Sequence, residues 1–257
     1  MNSNSFTDGA ASATIALVLL RKESLAMIKA VFFDLYQTLV CYEPPREELQ
    51  AKALEEFGIE VKPEVLRRPL VIADEYIYQE LARASLRQRS KEEQIALWAQ
   101  YEEILLREAG VKTDKQLILG LLSKMQQFKM KLVLFDDVMP ALTDLKRRGL
   151  ILGLISNIDR DMTTTFNELG LSLLLQVMVT SQEVGFNKPQ PQIFQEALKR
   201  AGVRASEAIY VGDQYQIDVV GAKGVGMKGI LLDRGGYFAE IADCPRIQSL
   251  TQIKEFL

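Results

Sequence analysis

The second half of this chain alternates apolar segments with amphipathic segments, and this alternation limits its possible folds more than any other feature. The apolar segments are LILGLIS, LLQVMVTS, AIYVGD and, as the expected final strand, KGILLD; an earlier one, KAVFF, stands near the beginning. Their apolar residues run together without alternation, so each predicts a strand buried on both faces. Helical segments separate them, which is typical of a parallel sheet covered on both sides. The sequence therefore predicts an α/β fold around a doubly wound parallel sheet.

Residues 43–130 interrupt this pattern with segments that carry apolar residues at helical spacing. Pro69 is expected to break one of these helices, and the nearby segment DEYIYQE is interpreted as surface charge and helix packing. An all-helical insertion of this size would leave residues 27–42 and 131–257 to form the α/β core. The sequence thus predicts a helical subdomain inserted after the first strand.

Residues 1–26 stand apart from both patterns. Their apolar stretch AASATIALVLL is too short to span a membrane and follows Asp8 rather than a basic region. Because MIKAVFFD looks like a natural protein start, Met27 is expected to be the initiator and residues 1–26 a disordered or wrongly assigned extension. A poor signal peptide is the alternative interpretation.

Composition excludes several kinds of chemistry. The 257 residues include no histidine, which excludes histidine-based triads, imidazole bases and the usual zinc sites. Catalysis would then depend on carboxylates, hydroxyls, amides, lysine or arginine, and a bound divalent ion would have oxygen ligands, as magnesium prefers.

Charge and cysteine usage bear on partners and location. The 31 basic residues nearly balance the 34 acidic ones, so no nucleic-acid partner is expected. Cys41 and Cys244 show no metal or redox spacing, which suits a reduced, cytoplasmic setting. No membrane association is expected, and the sequence leaves monomer and homodimer open.

Polar residues stand at or just beyond the ends of the predicted strands. Asp34 follows VFF, Ser156 follows LGLI, Asp213 follows IYVG, and Lys188 comes shortly after LLQVMVTS. In an open parallel sheet, ligands bind in the crevice outside the carboxyl ends of the strands. A strand-end aspartate alone is more often a cap or turn residue, but four polar groups in such positions together indicate a site.

These segments resemble the four motifs of the haloacid dehalogenase-like hydrolase superfamily, in the subfamily with a helical cap inserted after the first strand. FFDLYQTLV resembles the first motif, LGLISN the second, KPQPQIF the third and VGDQYQIDVVGA the fourth. Their order and separations agree over about residues 27–235. The resemblance implies a Rossmann-like core, a helical cap and hydrolysis of a small anionic substrate.

The resemblance also implies a role for each matching residue. Asp34 matches the nucleophile, which attacks phosphorus or carbon and forms an aspartyl intermediate that water cleaves. Asp218 would bind the waters of a magnesium ion or orient Lys188. The implied roles are catalysis for Asp34, Lys188, Thr38 and Ser156, substrate binding for Asn157 and Tyr36, and magnesium binding for Asp34, the Tyr36 backbone carbonyl, Asp213 and Asp218.

Tyr36 departs from the phosphatase pattern, which usually has a second aspartate there as the general acid and base. A phenol with a pKa of ~10 is a poor base at neutral pH. L-2-haloacid dehalogenases resemble this chain at Asp-x-Tyr-x-Thr. They need no general acid at the tyrosine position, because a halide leaves without a proton. However, they carry Ser and Asn at the positions of Asp213 and Tyr215, and they need a cap arginine, for which Arg67 or Arg68 are the candidates.

Three functions remain open at this point. The favoured one is a magnesium-dependent phosphatase acting on a small phosphorylated metabolite, because two buried acids, Asp34 and Asp213, would repel each other without a cation. Tyr36 then suggests acyl or aryl phosphates as substrates, unless Asp159 supplies the missing acid rather than capping the next helix. The alternatives are a metal-independent 2-haloacid dehalogenase and a weakly active member that binds a phosphorylated ligand.

Overall fold

The structure is a computed structural model that describes residues 27–257, so the expectations for residues 1–26 lie outside the described residues. Within the described range the strands are β1 (Ala30–Phe33), β2 (Val40–Glu43), β3 (Lys131–Leu134), β4 (Ile151–Ser156), β5 (Val177–Thr180), β6 (Ala208–Gly212), β7 (Lys228–Leu232) and β8 (Arg246–Ile247). In the same range the α-helices are α1 (Arg46–Glu55), α2 (Pro63–Arg83), α3 (Lys91–Glu108), α4 (Lys115–Met125), α5 (Val138–Arg147), α6 (Thr163–Glu168), α7 (Ser181–Val184), α8 (Pro191–Ala201) and α9 (Gly221–Gly224).

Six of these strands form one parallel sheet in the order β5-β4-β1-β6-β7-β8, which confirms the predicted parallel α/β core within residues 27–257. The central strand β1 alternates between two apolar clusters. Val31 and Phe33 pack in one cluster with α5, and Ala30 and Phe32 pack in the other with α8. Both faces of the sheet are therefore covered, which explains why its strands are continuously apolar.

Close packing across the sheet explains one glycine in the apolar run of β4. A Cβ at Gly153 would lie 2.5 Å from the ring of Phe32 on the neighbouring strand. The ring is fully buried, and burying a phenylalanine contributes about 1.5–3 kcal/mol. A larger residue at position 153 would displace this ring from the core.

Helices α1 to α4 lie between β2 and β3. The two strands pair antiparallel and form the base of this helical block, a small sheet that the sequence did not indicate. The helices pack around a core of their own, made of Ala53, Leu54, Leu66, Leu70, Ala73, Leu105, Leu106 and Leu121.

The expected break near Pro69 is wrong, because α2 runs through it without interruption. Proline removes one helical hydrogen bond and costs about 3 kcal/mol in a helix interior. Its neighbours Leu66 and Leu70 are both buried in the core of the block. Their burial offsets the missing hydrogen bond.

The surface interpretation of DEYIYQE is also wrong at its first residue. Asp74 is buried, 2% exposed, and accepts two hydrogen bonds from Arg46, at 2.8 and 2.5 Å, and one from the hydroxyl of Tyr101 at 3.1 Å. A buried carboxylate is tolerated only with partners of this kind. It joins α2 to both α1 and α3.

The chain forms one more strand than expected after KGILLD. Strand β8 pairs with β7 at the edge of the sheet, so β7 is not the final strand. A two-residue strand is too short to show a hydrophobic pattern. Within residues 27–257, helices with the length and apolar character of a bilayer-spanning segment are absent.

Candidate active site

Lys188 lies at the centre of the polar groups at the carboxyl edge of the sheet. It is 2% exposed, and its ammonium group donates to Asp34 Oδ1 at 2.7 Å, to Asp218 Oδ1 at 2.6 Å and to the Tyr210 hydroxyl at 2.7 Å. Burial lowers the pKa of Lys188, but the charges of Asp218 and Asp34 outweigh burial and raise it above its usual value. The lysine therefore stays charged between two carboxylates.

Asp34, at the end of β1, has two differently engaged oxygens. Oδ1 accepts hydrogen bonds from Ser156 Oγ at 3.0 Å and from Lys188. Oδ2 accepts none from the side chains and backbone of residues 27–257, and Asp34 keeps 7% of its surface exposed. One oxygen thus orients the carboxylate while the lone pairs of the other remain available for attack.

Asp218 reaches the site because a π-helical turn, Tyr215–Val220, follows β6. Its Oδ2 accepts the backbone N–H of Gln214 at 3.0 Å. A Cβ at Gly212, the last residue of β6, would lie 2.2 Å from this oxygen, so only glycine permits the approach. Both oxygens of Asp218 thus accept from N–H donors, Oδ1 from Lys188 and Oδ2 from Gln214.

The carboxylates of Asp34, Asp213 and Asp218 each offer an oxygen within 4.8 Å of the other two. Burial, followed by the charges of Asp34 and Asp218, raises the pKa of Asp213 well above its usual value. Three carboxylates face one lysine, so the cluster has surplus negative charge when all are ionised. Clustered carboxylate oxygens are the donor set that magnesium prefers, and the residues fit this ion.

The loop between Asp34 and β2 folds back on itself. The backbone N–H groups of Leu39 and Val40 both donate to the Leu35 carbonyl, and Gln37 adopts a left-handed conformation with φ 59°. This tight turn buries Thr38, whose hydroxyl lies 3.4 Å from Asp213 Oδ1. The first and fourth motifs therefore meet at the carboxylate cluster.

Asn157 contacts the backbone of Lys188 with both ends of its side-chain amide. Its Oδ1 accepts the Lys188 N–H at 2.6 Å and its Nδ2 donates to the Lys188 carbonyl at 3.0 Å. Asn157 also lines the site cavity. It is therefore a positioning residue for Lys188 in this structure, and its contact with substrate stays a prediction.

Tyr36 stands at the outer end of the site. Its ring stacks on Tyr42 with centroids 6.1 Å apart, and its hydroxyl lies 3.5 Å from an Arg160 guanidinium nitrogen. Tyr36 lines the same small cavity as Asp34 and Lys188. Position 36 therefore presents a phenol beside the Arg160 guanidinium, where the usual phosphatase pattern has a carboxylate.

Two tyrosines that the sequence motifs did not indicate also belong to the site. Tyr210 lies inside an apolar strand pattern, yet its hydroxyl accepts from Lys188 and donates to the Ile155 carbonyl at 2.9 Å. Tyr78 comes from α2 of the helical block and lines the site cavity. Burial, followed by the charges of Asp74 and Asp213, raises the pKa of Tyr78 well above its usual value.

The interpretation of Asp159 as the cap of the helix after β4 is wrong. The N–H of Thr163 at the start of α6 is bound by Asp161, at 2.8 Å. Asp159 instead lies 3.8 Å from Arg87 of the helical block and does not line the cavity of Asp34. Arg67 pairs with Glu47 at 3.0 Å and is equally absent from that cavity.

All eight residues predicted from the sequence meet at this edge of the sheet. The fold and site define an α/β protein whose centre is a strand-end aspartate held by a buried lysine. Comparison with known proteins agrees, because the family model for haloacid dehalogenase-like hydrolases matches residues 28–226. The chain belongs to this family of hydrolases.

Individual relatives cover most of the chain. It is 31% identical to a glyceraldehyde 3-phosphate phosphatase of Methanopyrus kandleri over 82% of this chain and 86% of the relative. It is 29% identical to a ribulose-1,5-bisphosphate 5-phosphatase of Halopiger xanaduensis, over 80% and 85%. A 2-haloacid dehalogenase from Pseudomonas syringae is 28% identical with a TM-score of 0.51, over 89% and 97% of the two chains.

Proposed function

We propose that this hydrolase is a magnesium-dependent phosphatase that acts on a small phosphorylated metabolite through an aspartyl-phosphate intermediate. The observation that supports this proposal most directly is the pairing of Asp34 with a second carboxylate, Asp213, beside one lysine. Dehalogenation needs no cation at this position, whereas a phosphate beside three carboxylates needs added positive charge. The names of the two phosphatase relatives agree with this choice.

Asp34 Oδ2 is the proposed nucleophile. A bond forms between this oxygen and phosphorus while the bond from phosphorus to the leaving oxygen breaks. Lys188 holds the other carboxylate oxygen, which fixes the direction of attack. Water then attacks the aspartyl phosphate at phosphorus, which releases phosphate and restores Asp34.

Asp34, Asp213 and the Tyr36 backbone carbonyl would hold the magnesium ion directly. Asp218 would contribute indirectly, because its Oδ1 accepts from Lys188 and its Oδ2 from the Gln214 N–H. When bound, the ion supplies positive charge to the phosphate oxygens. Thr38 and Ser156 donate to carboxylates in this structure, and we propose that their hydroxyls turn toward the substrate phosphate.

The helical block at residues 43–130 is proposed to act as a cap over this site. Tyr78 lines the cavity, and Arg87 faces Asp159 of the core at 3.8 Å. A cap of this kind excludes water while the intermediate exists.

Within residues 27–257, Cys41 and Cys244 are free, which agrees with the proposed cytoplasmic location.

Phosphate release from matched substrates tests the proposed function. We expect acetyl phosphate and p-nitrophenyl phosphate to be cleaved faster than glycerol 3-phosphate, because their leaving groups need little help from an acid at position 36. Activity should need Mg²⁺ and should be lost with chelator and in Asp34→Asn. Chloride release from 2-chloropropionate in excess chelator, without any phosphate release, would favour the dehalogenase instead.

A further inference from the structure

Arg160 differs from the other arginines around the cleft between core and helical block. Its guanidinium contacts the Tyr36 hydroxyl, and no carboxylate of residues 27–257 forms an ion pair with it. The neighbouring arginines each have an acidic partner: Arg46 with Asp74, Arg67 with Glu47, Arg87 with Asp159 and Arg234 with Asp137.

The position of Arg160 follows from β4. This strand ends at Ser156, whose hydroxyl donates to Asp34, and Arg160 stands four residues later on the loop that continues from the strand. Its contact, Tyr36, stands two residues after Asp34 and lines the cavity of the nucleophile. An exposed guanidinium is therefore anchored at the outer end of the site by a group that also faces the cavity.

The acidic residues on either side of Arg160, Asp159 and Asp161, form no ion pair with its guanidinium. Asp159 lies 3.8 Å from Arg87 of the helical block, and Asp161 accepts the Thr163 N–H at 2.8 Å, so both carboxylates next to Arg160 along the chain have other partners. The phenol of Tyr36 is an uncharged partner, so it leaves the positive charge of Arg160 available.

We propose that Arg160 determines substrate specificity by binding a second acidic group, a carboxylate or a second phosphate, on the leaving-group side of the substrate. A guanidinium suits this role because its planar N–H donors match the two oxygens of either group. The inference rests on the proposed phosphatase function and adds to it the substrate class: phosphoesters that carry a further negative charge.

Equilibrium binding to the Asp34→Asn variant in Mg²⁺ tests this proposal without depending on turnover. The probes are 3-phosphoglycerate and glycerol 3-phosphate, which share a three-carbon skeleton and differ by a carboxylate in place of a hydroxymethyl group. We expect the first to bind about tenfold more tightly, as a charged hydrogen bond of about 1.4 kcal/mol would give. Ribulose 1,5-bisphosphate against ribulose 5-phosphate provides the same comparison for a second phosphate.

Adding Arg160→Gln should abolish the preference in both pairs, and Arg160→Lys should keep part of it. Arg147→Gln is the matched control, since Arg147 is an exposed arginine at the end of α5, at the opposite edge of the sheet. Equal binding of the two members of each pair would overturn the proposal, as would a preference that survives Arg160→Gln, or no binding at all.

Turnover separates this inference from the proposed function. If the protein with Asp34 releases phosphate from acetyl phosphate but shows no preference for the doubly acidic probes, the specificity assignment fails and the phosphatase stands. If it releases no phosphate while Asp34→Asn still shows an Arg160-dependent preference, the proposed chemistry fails and the anion-binding role of Arg160 stands.

Discussion

Tyr36 is the residue that most distinguishes this site from the usual phosphatase pattern. The position faces the cavity of Asp34, and its hydroxyl contacts Arg160 instead of acting beside a second carboxylate. Positioned acid–base catalysis contributes typically about 10²–10⁴ in rate. The cost of a phenol here should therefore depend on how much protonation the leaving group needs.

Tyr36→Asp should raise the rate of glycerol 3-phosphate hydrolysis by about 10² and change p-nitrophenyl phosphate hydrolysis much less, because only the alkoxide needs a proton. The ratio of kcat values for the two substrates is the measurement. Tyr36→Phe serves as control and should keep the ratio of the natural sequence. An unchanged ratio in Tyr36→Asp would show that position 36 is not the site of the missing acid.

At the scale of elements, the helical block combines an apolar core with buried polar pairs between its helices. Gln50 of α1 donates from Nε2 to both oxygens of Glu102 on α3, at 3.2 and 3.1 Å. Burial raises the pKa of Glu102 to about 7, and the hydrogen bond from Gln50 only partly opposes this. Glu102 is therefore protonated in the folded protein at pH values where the unfolded chain is ionised.

This difference makes the stability of the block depend on pH. The folded state binds the Glu102 proton more tightly, so the stabilisation is complete below about pH 4.5 and is lost as pH rises to about 7. The loss is about 3 kcal/mol in the free energy of unfolding. Glu102→Gln should remove this dependence, as measured by urea unfolding at several pH values.

The matched control is Glu103→Gln, which changes an exposed glutamate on the same helix. The difference in unfolding free energy between the two variants should grow from pH 4.5 to pH 7, in favour of Glu102→Gln. Parallel pH curves for both variants would contradict the assignment of a raised pKa to Glu102.

At the scale of the whole molecule, the site exists only because distant segments meet at one edge of the sheet. Lys188 and Asp34 are separated by 154 residues along the chain, and Thr38 and Asp213 by 175. The fold brings three carboxylates together, and burial, followed by the charges of Asp34 and Asp218, raises the pKa of Asp213. Burying these carboxylates side by side costs stability, and a bound cation would reduce that cost.

Mg²⁺ should for this reason raise the midpoint of thermal unfolding, since a ligand that binds only the folded state stabilises it. Asp213→Asn should raise the midpoint without Mg²⁺, because it removes one repelling charge, and should greatly reduce the shift that Mg²⁺ produces. Asp136→Asn, an exposed aspartate before α5, is the control and should behave as the natural sequence does. An equal Mg²⁺ shift in all three proteins would place the ion elsewhere.

The order of strands and helices could be predicted from the sequence because a strand buried on both faces consists of consecutive apolar residues, a pattern visible within the segment itself. Continuous apolar runs predicted β4, β5, β6 and β7. Their position at or just beyond a strand end identified the site candidates Asp34, Ser156, Lys188 and Asp213. Failures occurred where a local rule met tertiary packing. Pro69 should break a helix in isolation, yet α2 continues because Leu66 and Leu70 are buried against its neighbours.

Contacts between segments were decided by the tertiary structure alone. Tyr210 has the sequence environment of a core residue, and only the position of β6 beside β1 brings its hydroxyl to Lys188. Nothing in the sequence distinguishes Arg160 from other loop arginines. Only the tertiary structure shows that it contacts the Tyr36 hydroxyl and that Asp159 lies near Arg87 instead. The sequence by itself determined the α/β order and the strand that ends at Asp34, since these depend on neighbouring residues. The partners of each polar group depend on how remote elements pack.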